Sequence, residues 1–286
     1  MSSLSVTSSR YRRRKFLDRV MTIIAYLCTA AAIVPLAVVL VYVIVRGLGA
    51  WDVEFFTGLP KLFGSGGGVA NGIVGTFQIT GLAALIGVPT GVMAGIYLAE
   101  YGNNRLSGVI RFVADTMTGI PSIVVGLFAY AVIVLNMGYN AFAGAVALAI
   151  LMIPVVTRTT EEIIRLVPDS IREASLALGV SRWKTILRVV VPTALGGIVT
   201  GVLLSIARVA GETAPLILTI LGTNFWNLRL FEGPTTTLSL QIYQLAAQPS
   251  PQVVQVAWGA SLLLVLIVLG LNLAARLIFG RGRYTR

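Results

Sequence analysis

The chain has 286 residues, of which 56% are hydrophobic and only 12% are charged, and its mean hydropathy is +0.88. Soluble domains carry roughly 25% charged residues, so this composition excludes a soluble globular protein and a disordered one. The formal net charge of +11 would suit a nucleic-acid partner, but the placement of the basic residues along the chain indicates another origin.

The reactive side chains exclude most classes of enzyme. The sequence has no histidine and one cysteine, Cys28, so His-based metal sites, His general bases, zinc clusters and disulfides are excluded. Cys28 lies in an apolar stretch and is predicted to be a small buried residue. None of the lysines follows a glycine, so the phosphate-binding loop G-x-x-x-x-G-K-[ST] is absent. We therefore expect no enzyme activity, metal or cofactor, and any ATP-driven work requires another polypeptide.

Six apolar runs are predicted to be membrane-spanning helices: 20–45, 72–99, 109–135, 141–156, 194–222 and 253–279. A helix needs about 20 apolar residues to cross roughly 30 Å of hydrocarbon, and lipid leaves the backbone no other hydrogen-bond partner than itself. The sequence therefore predicts an all-α integral membrane protein, with a basic tail at 1–19 and a transmembrane domain at 20–286. The fourth run is the shortest.

The basic residues predict the orientation of these spans. With the N-terminus placed inside, 18 Lys and Arg residues fall on the inside flanks, and only Arg46, Lys61 and Arg229 fall outside. Cytoplasmic loops carry such an excess of basic residues. We therefore expect both termini in the cytoplasm, which accounts for the net charge without nucleic acid. The segments 46–71 and 223–252 are then external; Trp51, Phe55, Phe56 and Trp226 are interpreted as anchors at the membrane interface, with partner docking as the alternative.

Within the second run, Gly87, Gly91 and Gly95 recur every four residues and therefore share one helix face. Small residues at this spacing allow two membrane helices to approach closely. Close helix packing is favoured over the alternative, a pore-lining surface.

The longest inside segment, 157–192, is predicted to fold as a helix, a turn and a second helix. Glu161 and Arg165 are four residues apart, as in a helical ion pair. Asp169 or Ser170 can cap a new helix, and Gly179 can end it in a tight turn.

Three short pieces stand in this segment at fixed spacing: Glu173-Ala174-Ser175, Gly179 and Val189-x-Val191-Pro192. They resemble the EAA loop of ABC importer permeases, E-A-A, three residues, G, nine residues, I-x-L-P. The chain keeps every interval and departs only by small or similar-sized residues. The resemblance implies a MetI-like permease core at about 70–280, whose short helix before the glycine docks on an ATP-binding subunit.

Three further stretches resemble phosphate importer permeases, the third favouring the PstA type over the PstC type: 118–127 (TGIPSIVVGL), 207–216 (ARVAGETAPL) and 237–243 (TLSLQIY). The resemblance implies a subunit of the bacterial cytoplasmic (inner) membrane that translocates inorganic phosphate. Its partners in that family are a PstB-type ATPase dimer, a PstC-type second permease and an external PstS-type binding protein.

The fifth run contains the one cation deep within a predicted span, Arg208. A buried charge costs roughly 2.5–3.5 kcal/mol on insertion scales, so it should have a partner or serve a path. Glu212 is four residues on, one turn away in a continuous helix. The arginine fork suits phosphate oxygens, so we interpret Arg208 and Glu212 as part of the substrate path, with weaker claims for Thr213 and Ser205. The alternative is an ion pair that only fixes helix packing.

Two other functions stay open. A permease for another oxyanion, such as sulfate or molybdate, would have the same EAA loop. An ion-gradient secondary carrier would need coupling acids in the membrane, where Glu212 is the only well-centred one, and repeat halves that the sequence does not show.

Overall fold

The computed structural model describes residues 9–61 and 66–279, and within these ranges every regular element is helical. In chain order the helices are α1 Ser9–Leu48, α2 Val53–Thr57, α3 Ala70–Glu100, α4 Arg105–Gly119, α5 Ser122–Ala129, α6 Leu135–Met137, α7 Ala141–Arg165, α8 Asp169–Ala177, α9 Arg182–Thr185, α10 Val191–Ala210, α11 Ala214–Thr219, α12 Leu238–Ala246 and α13 Pro251–Phe279. Two π-helical turns, Tyr130–Val134 and Ile186–Val190, join α5 to α6 and α9 to α10.

Five stretches of helix are long and apolar enough to cross a membrane: α1, α3, α7, α9 with α10, and α13. A sixth crossing requires α4 and the helices from α5 to α6 to count as one span, although they are bent by 104°. The prediction of an all-α membrane protein is confirmed. The prediction of one continuous helix over 109–135 is wrong, because Pro121 lies in the bend and its fixed backbone begins a new helix there.

Helices α3 and α7 form the centre of the fold, and the glycine stripe joins them. A Cβ atom added at Gly91 would lie 2.8 Å from the Cβ of Val156, and one at Gly87 would lie 3.2 Å from the Sδ of Met152. At Gly95 it would lie 2.6 Å from the Cβ of Thr160. These distances leave no room for a side chain, so close packing, as predicted, is the use of this stripe.

Helix α7 continues nine residues beyond the apolar run at 141–156 and ends at Arg165. The predicted end of this span at residue 156 was wrong, because the first polar residues after the apolar run were interpreted as lying outside the span. Thr157, Thr160 and Glu161 are polar but buried, so the helix stays inside the protein after its apolar residues end. The segment 157–192 therefore begins within a core helix.

Helix α1 is the most peripheral element and covers more than its apolar run, beginning at Ser9 within the predicted tail. It contacts α13 near its C-terminal end, where a Cβ at Gly47 would lie 2.8 Å from the Cβ of Leu262, and Tyr42 packs on Trp258 with ring centroids 5.0 Å apart. Cys28 lies on the uncovered part of α1 and is exposed. The prediction that Cys28 is buried is wrong.

At the opposite end from the 157–192 segment, α2, α12 and α13 share a small apolar core. Phe55 is buried in this core, and the indole N–H of Trp51 donates to the carbonyl of Gly259 at 3.1 Å. Phe55 therefore packs inside the protein, and its interpretation as an interfacial anchor is wrong. Phe56 and Trp226 remain exposed, as anchors would be.

Candidate functional site

Two membrane segments are broken, and the breaks lie side by side. Helix α4 ends at Gly119 before Pro121, and α10 ends at Ala210, three residues before α11. Helices α5 and α11 are packed closely, since a Cβ at Gly126 would lie 2.5 Å from the Cα of Pro215. The sequence predicted neither break, because each segment is mostly apolar and long enough to be interpreted as one continuous span.

The two breaks border one cavity of about 140 Å³. Its lining residues come from α4, α5, α7, α10 and the segment after α10: Met117, Thr118, Ile120, Ser122, Leu151, Val155, Ser205, Arg208, Val209 and Glu212. The lining includes one cation, one carboxylate and three hydroxyl groups. Backbone that leaves the helix at membrane depth is tolerated where it is buried or borders a polar cavity.

The structure brings together three of the four residues predicted for the substrate path. Ser205, Arg208 and Glu212 line the cavity, whereas Thr213 precedes α11 outside the lining. Arg208 lies in the last turn of α10 and Glu212 lies beyond its end, so they do not share a face of one helix. No ion pair within 4.0 Å joins them among the described residues, so the alternative interpretation, an ion pair that only fixes helix packing, is not supported.

Ser205 is unusual among the hydroxyl residues of α10. Thr193 and Thr200 each donate back to the carbonyl four residues earlier, at 2.6 and 2.7 Å. The Oγ of Ser205 has no hydrogen-bond partner in the described protein, and the residue is only 2% exposed. A buried hydroxyl without a partner is costly, so this group is available for a ligand or a water molecule in the cavity.

The turn predicted at Gly179 is confirmed. Gly179 has φ +78°, its N–H donates to the carbonyl of Leu176 at 2.9 Å, and the N–H of Val180 donates to that of Ser175 at 3.3 Å. This pair of bonds is the Schellman motif that ends a helix with a left-handed glycine. The predicted cap is wrong: the N-cap of α8 is Pro168, which makes no side-chain cap bond, and Asp169 is the first helical residue.

The residues of the EAA-like pattern divide between surface and core. Glu173 and Ala174 are exposed on α8, whereas Ser175 is buried and its Oγ lies 2.9 Å from the Oγ1 of Thr185 in α9. Pro192 lies at the start of α10, directly after the π-helical turn, where its missing N–H is tolerated. Ser175, which replaces the second alanine of the family pattern, therefore ties the two helices of the hairpin together.

Buried carboxylates hold this hairpin to the membrane helices. The Nε and Nη2 of Arg172 in α8 donate to the Oε1 of Glu100 at 3.0 and 2.9 Å, and Nη2 also donates to the carbonyl of Ile164. Arg182 donates to the carbonyl of Glu100 and lies over the ring of Tyr101 at 4.9 Å. The end of α3 is therefore clamped to both helices of the hairpin.

A second buried carboxylate, Glu161, joins α7 to α4 and is only 1% exposed. Its oxygens contact the Nε of Arg111 at 2.8 Å, the Nη1 of Arg158 at 3.2 Å and the Nη2 of Arg165 at 2.6 Å. The predicted pair with Arg165 is confirmed, but the link through Arg111 to α4 was missed. The sequence signal that could have indicated this link is the scarcity of acidic residues, because the whole chain has 11 acidic residues against 22 basic ones.

The hairpin exposes three large apolar residues. Leu178 is 84% exposed beside the turn, and Leu176 and Trp183 are also exposed. Residues of this size at the tip of a charged loop are typical of a surface that is covered by a partner.

Residues 87–281 match the family described as "Binding-protein-dependent transport system inner membrane component". The chain belongs to this family. The match spans both broken segments, the hairpin and the cavity. The long apolar helices agree with the family description, and the chain is a multi-pass protein of a bacterial inner membrane.

Curated relatives of this transport component are similar over nearly their whole length. The "Phosphate transport system permease protein PstA 1" of Mycobacterium tuberculosis (strain CDC 1551 / Oshkosh) is 43% identical over 274 residues, which are 93% of this chain and 90% of the relative. The "Phosphate transport system permease protein PstA" of Yersinia pestis is 40% identical over 277 residues, which are 96% and 93% of the two chains.

Solved structures show the same fold at low identity. A chain of the MetNI methionine ABC transporter in an inward-facing conformation matches with a TM-score of 0.60 and 21% identity, over 76% of this chain and 94% of that one. A chain of a bacterial alginate ABC transporter matches with a TM-score of 0.67 and 15% identity, over 96% and 98%. The predicted ABC importer permease architecture is therefore confirmed.

Proposed function

We propose that the chain is a membrane-spanning permease subunit of an ABC importer that moves inorganic phosphate into the cytoplasm. The observation that carries this proposal is the set of relatives about 40% identical over nearly the whole chain, all named as phosphate permeases of the PstA type. The subunit provides the path and does not hydrolyse ATP.

Arg208 is the residue we assign to the anion path. It lies at the break of α10, lines the cavity, and is exposed in the single chain, so its charge is accessible to a passing ion. A guanidinium group donates along a planar fork to two oxygens of a tetrahedral anion. Ser205 and Glu212 contribute from the same cavity, and Thr213 is supported only by its proximity in sequence.

We further propose that the segment 157–192, which contains the hairpin of α8 and α9, is cytoplasmic together with both chain termini. The hairpin docks on a PstB-type ATPase dimer. The exposed Leu178, Leu176 and Trp183 support this, and the clamp on Glu100 offers a rigid route from the hairpin to α3. A PstC-type permease would complete the path, and a PstS-type binding protein would dock at the opposite end. The permease domain assigned to 20–286 and its core at about 70–280 stay part of this proposal.

The test is reconstitution of the four-component importer in proteoliposomes, with uptake of radiolabelled phosphate and ATP hydrolysis measured together. We expect uptake that requires ATP and the binding protein. Arg208→Glu should reduce uptake at least about 100-fold, because it reverses the charge of the one cation in the cavity lining, and Arg208→Lys should be impaired less, since it loses only the fork. The matched control is Arg105→Glu, an exposed residue at the start of α4 outside the cavity.

The alternatives give different results in the same assay. Uptake of sulfate or molybdate instead of phosphate would identify another oxyanion permease. Uptake driven by an ion gradient without ATP would identify a secondary carrier. Full phosphate uptake by Arg208→Glu at normal membrane abundance would remove Arg208 from the path.

A further inference from the structure

The cavity between the two broken spans contains a carboxylate, which is unexpected in a path for anions. Glu212 lines it beside Arg208, and the two form no ion pair within 4.0 Å among the described residues. The backbone carbonyl of Glu212 accepts a hydrogen bond from the Oγ of Ser239 at 2.9 Å, so the position of this residue is held by α12. The carboxylate is therefore not explained as the neutralising partner of Arg208.

A carboxylate repels any anion that offers only oxygen lone pairs. It accepts a hydrogen bond, however, from an oxyanion that carries its own proton. Inorganic phosphate has one more ionisable hydroxyl than a phosphate monoester, whose second pKa is about 6, so it keeps at least one proton at neutral pH, whereas sulfate keeps none. A cation and a carboxylate in one cavity can thus distinguish the two ions by the proton alone.

The hydroxyl groups of the cavity complete such a site. Ser205 has a buried, unpartnered Oγ that can donate to an anion oxygen, and Ser122 places a second hydroxyl at the start of α5. Thr118 already donates to the carbonyl of Asp115 at 2.7 Å, so its oxygen is left to act as an acceptor toward a ligand. Donors and acceptors are therefore both present, as a protonated oxyanion requires.

The size of the cavity agrees with this ligand class. Its volume is about 140 Å³, and a cavity of about 150 Å³ holds a benzene molecule of six heavy atoms, so there is room for an ion of five heavy atoms. We propose that Glu212, with the hydroxyls of Ser205, Ser122 and Thr118, selects a protonated tetrahedral oxyanion over a fully deprotonated one. This inference rests on the proposed function, because it concerns the same anion path.

The experiment measures anion occupancy directly, so that the selectivity of a binding protein cannot mask that of the permease. A reporter cysteine replaces Val155, a lining residue without a polar role, in a Cys28→Ser background. The full importer in nanodiscs reacts with a small neutral thiol reagent in the presence of increasing inorganic phosphate or sulfate. A cysteine at Ser250, outside the cavity lining, is the control and should label at the same rate with either ion.

With Glu212 present we expect phosphate to slow labelling of the cavity cysteine, and sulfate to require at least about tenfold higher concentration, the value of one charged hydrogen bond. Glu212→Gln should let sulfate protect about as well as phosphate. Ser205→Ala should weaken phosphate protection several-fold, and Ser205→Thr should restore it.

Equal protection by both ions with Glu212 present would overturn the selection by Glu212. Protection by neither ion would overturn the site itself. Phosphate uptake by the same reporter importer in proteoliposomes is measured alongside: normal uptake with either of these results leaves the phosphate permease in place, whereas absent phosphate uptake by the unsubstituted importer refutes the proposed function instead.

Discussion

Replacing Glu161 should destabilise the protein more than any other single change among the ion pairs of the described residues. The carboxylate is 1% exposed and contacts three guanidinium groups, on Arg111, Arg158 and Arg165. Removing one partner of a buried ion pair costs about 3–5 kcal/mol, because the remaining charge is left without compensation. Glu161→Ala would leave the three guanidinium groups without their carboxylate where α4 packs against α7.

The exposure of the three arginine side chains decides where in this range the loss of stability should fall. The side chains of Arg158 and Arg165 are 38% and 54% exposed, so water can solvate them after the change, whereas that of Arg111 is 26% exposed. Arg111 also donates to the carbonyls of Leu98 and Gly102, which keep part of its hydrogen bonding. We therefore expect the low end, about 3 kcal/mol, for Glu161→Ala and about 2 kcal/mol for Glu161→Gln.

The assay is thermal unfolding of the purified protein in detergent, in which about 3 kcal/mol corresponds to a decrease in midpoint of roughly 6–12 °C. Glu162→Ala is the matched control, because Glu162 is exposed and adjacent on the same helix; it should change stability by less than about 0.5 kcal/mol. Adding Arg111→Leu to Glu161→Ala should recover part of the loss. Equal midpoints for the Glu161 and Glu162 variants would refute the reasoning from buried charge.

Three further changes test packing, the turn and the orientation. Gly91→Ala should lower the unfolding midpoint by several degrees, because the added Cβ would lie 2.8 Å from the Cβ of Val156 in α7. Gly81→Ala on the same helix is the control and should have little effect, since its Cβ would have no atom within 4 Å. Equal effects of the two changes would contradict the close packing. Gly179→Val should reduce both co-purification of the ATPase subunit and phosphate uptake, because a φ of +78° strains a branched residue. Membrane insertion should stay normal. Normal co-purification and normal uptake would show that the turn has no role in coupling. In intact cells an impermeant thiol reagent should label a cysteine at Ser250 and not one at Ser181; the reverse pattern would invert the proposed orientation.

Local patterns in the sequence were sufficient for the class of fold and for the turn. Apolar runs of about 20 residues permit only helices in lipid, so the long helices α1, α3 and α13 follow from composition. Gly179 ends α8 through a local hydrogen-bond motif, which depends on neighbouring residues alone. The glycine stripe of α3 indicated close packing because the spacing of four residues fixes a helix face.

Polar residues within or beside apolar segments were harder to interpret. Glu161 was predicted to lie in a helix of the cytoplasmic segment with Arg165 as its partner, but it is buried near the end of α7, where Arg111 of α4 also contacts it. Arg208 and Glu212 seemed to be partners on one helix, but α10 ends between them. For Glu161 the partner that changes the interpretation, Arg111, is 50 residues away in sequence.

The presence of long apolar helices, the basic flanks, the turn at Gly179 and three of the cavity residues, Ser205, Arg208 and Glu212, can be predicted from the order of amino acids, because each depends on short-range periodicity or on residue type. The breaks at Ile120–Pro121 and 211–213, and the cavity that they form, depend on the packing of α5 against α11. An apolar segment has the same composition whether it runs straight through the membrane or turns within it, so the packing of neighbouring helices decides which of these it does.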